Sequence, residues 1–261
     1  MTTKLTFATL CLAVTAFTAQ AAGPAFDAAG DPVYQPSAGG WQAGDNGGTG
    51  FGAWTFLNQT FIGTSTANGT APSGGIDTAG VSFGLFSNSG APGFAQAFRD
   101  FSSGLAVGET FLMDFDNGFV SSGGFVGFAL RNANGNSLFQ FLFTGGGNSY
   151  TIDAGTTQQT SHGFTADGMR TSFTLTGANT FNFSIQFNDN MTTEMFTGTL
   201  ASPGGTITNL RLFSSNGNET SGASSDVFYN NMAVIPEPSS LSLLVGPAML
   251  GAWFFARRRR S

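Results

Sequence analysis

Short runs of alternating apolar and polar residues, separated by turn-forming residues, dominate the middle of this sequence. In the clearest run Phe181, Phe183, Ile185 and Phe187 alternate with Asn, Ser and Gln. This is the pattern of a strand with one face in a core and the other in solvent. No segment shows a helical period of comparable strength. The chain is therefore predicted to fold as an all-β protein.

Weaker versions of this alternation recur at the spacing of roughly 8 to 12 residues that is typical of sandwiches and barrels. They cover residues 110–115, 125–132, 138–143, 150–153, 169–176, 194–200, 207–213 and 226–234. Two to four more strands are expected between residues 51 and 101, with one helical turn near residues 94–98. Asn, Asp and Gly between the runs suit hairpin turns, so successive strands should pair antiparallel. We predict a two-sheet antiparallel sandwich of the jelly-roll type, with a single barrel as the alternative.

Charged residues are scarce and unevenly placed. Residues 22–235 contain fourteen acidic residues and no lysine, which gives a formal charge of −10 with their four arginines, Arg99, Arg131, Arg170 and Arg211. Because nucleic acids and acidic lipids are bound through basic residues, this segment is expected to bind neither. The single cysteine, Cys11, precedes this segment, so disulfides, a Cys-ligated zinc site and thiol catalysis are excluded within it.

The N-terminus has the pattern of a secretory signal peptide. Lys4 precedes an apolar run over residues 5–17, and Ala19 and Ala21 supply a small-x-small cleavage pattern. A run this short covers only ~20 Å of a hydrocarbon core that is about 30 Å thick, so a membrane anchor is the less favoured interpretation. Residues 1–21 are thus predicted to be removed on export. Residues 22–45 are expected to be an irregular lead-in, and residues 46–234 the β-sandwich.

The C-terminal segment, residues 235–261, combines a proline motif, an apolar run and a basic cluster. Pro236, Glu237 and Pro238 precede an uncharged run over residues 241–256. The basic cluster that follows consists of Arg257, Arg258, Arg259 and Arg260. The run is predicted to form a short transmembrane helix, and the positive-inside rule keeps the arginines cytoplasmic and the Pro-Glu-Pro motif outside.

This C-terminal combination resembles the PEP-CTERM sorting signal of Gram-negative bacteria. The resemblance implies recognition by exosortase, a multispanning membrane protease or transpeptidase, with cleavage near Pro236–Pro238. It also implies an inner-membrane intermediate, followed by delivery to the cell surface or an exopolysaccharide-containing matrix. The alternative is an ordinary tail anchor. The middle segment resembles a recurrent bacterial surface β domain on residues 51–77, 114–119, 145–147 and 226–231, which implies a concanavalin- or laminin-G-like fold.

Two acidic residues offer a candidate for chemistry. Asp114 and Asp116 are an i, i+2 pair, so on a strand both carboxylates face the same side, as the carboxylates of glycosidases must. Similarity to laminarinase-like jelly-roll hydrolases would require a third carboxylate that is absent here. Together with Asp189 and Asp226 these residues are also candidate Ca²⁺ ligands, because Ca²⁺ prefers several carboxylate and carbonyl oxygens.

The remaining candidates favour structural roles. His162, the only histidine, has no serine in a nucleophile-elbow context and is expected to be an exposed loop residue. Trp41 and Trp54 are expected in the core, with stacking on sugars as the alternative. We therefore expect a non-enzymatic, exported surface or matrix protein with exopolysaccharide as a partner. The alternatives are a secreted glycan-binding or glycan-hydrolysing protein and a calcium-dependent adhesin.

Overall fold

The structure is a computed structural model that describes residues 24–58, 60–63, 75–87, 93–215 and 225–236. Within these residues fifteen strands form two antiparallel sheets. The predicted signal peptide, including Ala19 and Ala21, lies outside the described residues, as do Glu237, Pro238, the predicted helix over 241–256 and the four terminal arginines. The described part of the chain contains no helix of the length and apolarity that crossing a membrane requires.

Eight strands form the larger sheet, here called sheet A. They are β1 (Ala25–Asp27), β3 (Thr60–Gly63), β4 (Ser82–Leu85), β6 (Thr110–Asn117), β11 (Met169–Gly177), β12 (Thr180–Phe187), β13 (Thr193–Thr199) and β15 (Val227–Ile235). Their spatial order is β13-β12-β11-β6-β15-β4-β3, and β1 also pairs with β15. The last described strand, β15, therefore lies in the interior of the sheet, between β6 on one side and β4 and β1 on the other.

Seven strands form the smaller sheet, here called sheet B. They are β2 (Thr55–Leu57), β5 (Phe94–Asp100), β7 (Phe125–Arg131), β8 (Ser137–Thr144), β9 (Tyr150–Asp153), β10 (Thr157–Gln159) and β14 (Asn209–Ser215). Their order is β10-β9-β8-β7-β14-β5-β2. The central strands β7 and β14 are distant in sequence, so the chain crosses between the two sheets several times.

Aromatic side chains fill the space between the sheets. Phe139 of β8 contacts Phe173, Phe181 and Phe183 of sheet A with ring centroids 4.8 to 5.1 Å apart. Each such buried ring stabilises the fold by about 1.5–3 kcal/mol through removal of apolar surface from water. The two sheets therefore pack face to face. The prediction of an antiparallel two-sheet sandwich is confirmed, and the single-barrel alternative is wrong.

The nine runs of alternating residues all correspond to strands, and residues 51–101 contribute four more, β2 to β5. The predicted helical turn at residues 94–98 is wrong, because these residues belong to β5. Phe94 and Phe98 share one face of a helix and equally one face of a strand, so their spacing is ambiguous. In the structure Ala95 and Ala97 point inward, and the two phenylalanines point outward.

Residues 24–45 pack into the sandwich as well. β1 pairs with β15, and two 3-10 turns follow at Pro32–Tyr34 and Pro36–Ala38. Trp41 is 2% exposed and meets the fully buried Trp54 edge to face, with ring centroids 4.9 Å apart. Both tryptophans are thus core residues, as expected. The boundary predicted between residues 45 and 46 does not separate two structural units.

A buried arginine connects this N-terminal segment to sheet B. Arg99 of β5 points inward and forms an ion pair with Asp27 of β1, and both side chains are fully buried. Its remaining donors bond the carbonyl oxygens of Gly52, at 2.9 Å, and Gly47, at 2.7 Å. Tyr34 donates a hydrogen bond to the same aspartate at 3.0 Å. Because a buried charge requires partners, this network holds the segment in place.

Candidate functional site

On the outer face of sheet B, the strand register places five side chains in a row, and three of them are polar. Asp153, Gln140, Ala129, Arg211 and Phe98 are directly opposite one another on β9, β8, β7, β14 and β5. Neighbours on these strands point inward, so the alternation of each strand sends these residues outward. The small Ala129 side chain in the middle of the row is fully buried, because Arg211 and Gln140 meet across it.

A depression of about 550 Å³ lies over this part of the face. Its lining consists of Phe94, Gln96, Phe125, Gln140, Leu142, Thr144, Asp153, Arg211, Phe213, Ser214 and Ser215. Phe94 is 38% exposed and Phe125 is 40% exposed, and the latter meets Phe213 edge to face at 5.8 Å. Aromatic ring surface and polar groups are therefore presented to solvent side by side.

The polar groups of the depression form a chain of hydrogen bonds. Arg211 Nη2 donates to Gln140 Oε1 at 3.0 Å, across Ala129. Gln140 Nε2 in turn donates to Asp153 Oδ2 at 3.2 Å. The guanidinium also lies 4.7 Å from the ring centroid of Phe213. Its Nε is buried and has no acceptor, and its Nη1 forms no hydrogen bond with a described residue.

A second depression, of about 600 Å³, adjoins the first on the same face and contains Arg131. Arg131 Nη1 donates to Asn209 Oδ1 at 3.4 Å, and Asn209 Nδ2 donates to Asp100 Oδ1 at 2.7 Å. The guanidinium also bonds the Gly135 carbonyl oxygen through Nε and Nη2. The arrangement arginine, amide, aspartate thus occurs twice on this face.

Burial changes the acidity of both arginines in the same direction. Burial lowers the pKa of Arg211, and nearby Arg131 lowers it further, against a smaller opposing effect of Tyr229. Burial also lowers the pKa of Arg131, which Asp100 partly offsets. In both cases the charged form has lost part of its hydration without gaining an equivalent counter-charge.

The predicted carboxylate pair lies on the other sheet. Asp114 and Asp116 of β6 are 4% and 1% exposed. The first accepts hydrogen bonds from Arg170 Nε at 2.9 Å and from Asn231 Nδ2 at 2.8 Å. Neither residue lines the depressions on sheet B. Both carboxylates are thus buried, and Arg170 and Asn231 satisfy that of Asp114.

The other two predicted calcium ligands lie in connecting loops. Asp189 Oδ2 accepts from His162 Nε2 at 3.1 Å, and the histidine ring stacks on Phe187 with centroids 4.0 Å apart. His162 is thus a loop residue, as expected, but only partly exposed. Asp226 precedes β15 and accepts the Gly118 amide through its carbonyl oxygen at 3.0 Å. No group of three or more His, Cys, Asp or Glu side chains in the described ranges could hold a metal ion, and Ca²⁺ stays a prediction.

Pro236 is the only residue of the predicted sorting motif within the described ranges. It follows Ile235, the last residue of β15, without an intervening linker. The folded sandwich therefore extends to the start of the motif.

The sequence alone does not single out the residues of the two depressions. Arg131 and Arg211 stand out only as two of the four arginines of residues 22–235, and Gln140 and Phe125 only as members of strands. Alternation indicates that these side chains point outward, but only the pairing register between strands that are distant in sequence shows that they lie side by side.

Comparison with known proteins adds no family assignment. No protein-family model matches the sequence, and a search of curated proteins finds no match. A sialidase superimposes with a TM-score of 0.46 at 10% identity, over 71% of this chain and 17% of that one. An uncharacterized protein from Mycobacterium paratuberculosis gives 0.45 at 14% identity, over 74% and 96%. Arcelin-5, a lectin-like defense protein from Phaseolus vulgaris, gives 0.41 at 11% identity, over 69% and 97%. Similarities this weak carry no argument about function.

Proposed function

We propose that this protein is an exported surface or matrix protein that binds polysaccharide on the outer face of sheet B without hydrolysing it. The observation that carries the proposal is the exposed ring surface of Phe94 and Phe125 beside the chain Arg211, Gln140 and Asp153. We further propose that the sandwich is wound as a jelly roll, because the chain crosses repeatedly between the two sheets.

Sugars offer two kinds of contact that this face matches. Their C–H faces pack on aromatic rings, and their hydroxyl groups both donate and accept hydrogen bonds. Gln140 and Asp153 supply acceptors, and Arg211 supplies donors, all held in fixed positions by their mutual hydrogen bonds. Two adjoining depressions on one open face suit a ligand longer than a single sugar.

The acidic residues support binding rather than hydrolysis. Glycosidases use two carboxyl groups that flank the scissile bond. Asp153 and Asp100, which lie on the proposed binding face, each accept a hydrogen bond from an amide side chain instead. The pair Asp114 and Asp116 belongs to sheet A. We therefore propose a protein that is not an enzyme.

Binding is tested with the full chain, purified in mild detergent, against a panel of bacterial and plant polysaccharides by affinity electrophoresis. Phe94→Ala and Phe125→Ala should each weaken binding roughly tenfold, because each removes an exposed ring from the face. Phe26→Ala is the matched control, since Phe26 is 53% exposed on β1 of sheet A. Equal binding by all four proteins, or binding by none, would contradict the proposal.

We also propose that exosortase processes the C-terminal tail. Two observations support it: the sequence pattern of residues 236–260, and the end of β15 at Ile235, directly before the motif. Cleavage at or after Pro236 would leave all fifteen described strands intact. The β-sandwich would then leave the inner membrane with its fold complete.

Sorting is tested by intact mass and cell fractionation of the protein in its host, as wild type and with Pro236, Glu237 and Pro238 replaced by alanine. The wild type should lose both ends and appear outside the inner membrane, and the variant should keep its tail and stay there. Retention of the arginine tail by both proteins would identify an ordinary tail anchor instead.

A further inference from the structure

We propose that the sugar bound in the first depression carries a carboxylate and that Arg211 binds it, with Arg131 placed to bind a second acidic sugar along the same chain. This inference rests on the proposed binding function and specifies its ligand class as a uronate-containing, acidic polysaccharide.

The four arginines of the described ranges differ in their partners. Arg99 is ion-paired with Asp27, and Arg170 is ion-paired with Asp114. Arg211 and Arg131 form no ion pair with any described residue. Their hydrogen-bond acceptors are amide and carbonyl oxygens, and each guanidinium also lies over a phenylalanine ring. In a segment with a formal charge of −10, two cations without a carboxylate partner on one face are unexpected. Both border depressions.

The hydrogen bonding of the Arg211 guanidinium is incomplete. Nη2 is occupied by Gln140, the buried Nε has no acceptor, and Nη1 forms no hydrogen bond with a described residue. Sugar hydroxyls can accept from the guanidinium donors that border the depression, but they leave the charge uncompensated. A carboxylate accepts from the planar fork of donors and neutralises the charge as well.

The direction of the pKa shifts agrees with this argument. Burial lowers the pKa of both arginines, and their mutual repulsion adds to the effect at Arg211. A bound anion would favour the charged form of each. An acidic polysaccharide would thus offset the repulsion between the two arginines.

The two aspartates on this face do not form ion pairs with the two arginines. Asp153 is separated from Arg211 by Gln140, and Asp100 is separated from Arg131 by Asn209. Each carboxylate thus accepts from an amide nitrogen, and the amide oxygen faces the arginine. This relay keeps both arginines available instead of closing them into ion pairs.

The test uses the full chain and calorimetric titration with hexamers of galacturonate, glucuronate and mannuronate, each beside its methyl ester. The ester keeps the sugar and removes the charge. At least one acid should bind ten or more times more tightly than its ester. Arg211→Gln should weaken binding of that acid at least tenfold and weaken binding of the ester by a smaller factor, because the ester loses only a hydrogen-bond donor and no charge pairing.

Two further variants sharpen the result. Arg211→Lys keeps the charge but loses the fork, so it should retain part of the preference for the acid. Arg170→Gln removes the same charge from sheet A and should change neither affinity more than twofold. Esters that bind as tightly as the acids, with equal losses in Arg211→Gln, would overturn the acidic ligand and leave polysaccharide binding intact. Binding of neither acids, esters nor the neutral panel would overturn both proposals.

Discussion

Arg99 and Arg211 lie on neighbouring strands of sheet B, β5 and β14, and point to opposite faces. On the inner face Arg99 is 1% exposed and has an ion pair, two carbonyl acceptors and the ring of Trp54 at 4.9 Å. On the outer face Arg211 has one amide acceptor, one ring and an unused buried donor. The guanidinium donors of Arg99 in the core have acceptors, whereas those of Arg211 on the surface are only partly satisfied.

This difference separates a residue that holds the fold from one that is placed for a ligand. A buried charge survives in a core only when its partners satisfy it, and removal of one partner is strongly destabilising. A charge left partly unsatisfied on a surface contributes little to stability and is retained for another reason. The comparison therefore predicts opposite outcomes for the same substitution at the two positions.

The largest effect is expected at Arg99. Arg99→Met leaves Asp27 as an unpaired buried carboxylate and frees the N-terminal segment from β5. We expect the free energy of unfolding to fall by about 3–5 kcal/mol, as measured by urea denaturation of the full chain.

The double variant Asp27→Leu with Arg99→Met is the control for this experiment. It removes both charges, so much of the lost stability should return. A single variant within about 1 kcal/mol of wild type would show that the ion pair does not hold the segment.

An intermediate effect is expected from Tyr34, which donates to Asp27 in the same network. Burial raises the pKa of Tyr34 to about 12 from its ordinary value of 10.0, against hydrogen bonds from Trp54 and Gly47 that lower it. Since the unfolded chain loses this proton near pH 10, the stabilisation is complete below pH 10 and is lost as the pH rises to about 12. This amounts to about 2–3 kcal/mol.

The measurement is urea unfolding of the wild type and of Tyr34→Phe at pH 9 and pH 11.5, since the difference between the two proteins isolates Tyr34, together with phenolate absorbance at 295 nm. Burial also raises the pKa of Tyr150 and Tyr229, the other two tyrosines. The native protein should therefore show no tyrosine ionisation near pH 10, whereas all three tyrosines of the urea-unfolded chain should ionise near that pH. A rise in absorbance near pH 10 with the fold intact would contradict the burial of these residues.

Much of the fold could be predicted from the sequence, because alternating residues report directly which side of a strand is buried. The missed strands β1 and β10 are three residues long, with sequences Ala-Phe-Asp and Thr-Gln-Gln. They have no alternation to detect and are held by pairing to β15 and β9. Short strands defined by their neighbours are the part of a sheet that periodicity cannot predict.

The candidate site depended on information that the sequence does not carry. Arg211 lies between Leu210 and Leu212, so an outward direction follows from alternation. Its partner Gln140 is 71 residues away, and only the register of β14, β7 and β8 brings them together across Ala129. Arg99 occupies an inward position that alternation would assign to an apolar residue. Nothing in the sequence indicates that Asp27 compensates it.

The smallest effect on stability is expected from Arg211→Met, and it tests the comparison most directly. The variant loses one hydrogen bond to Gln140 and a contact with Phe213, but it also removes a partly buried charge that has no counter-charge. Because these contributions oppose each other, the free energy of unfolding should stay within about 1 kcal/mol of wild type, by the urea denaturation used for Arg99→Met. Binding of an acidic hexasaccharide should nevertheless be lost. A destabilisation as large as that of Arg99→Met would mean that Arg211 holds sheet B together, and the distinction between the two faces would fail.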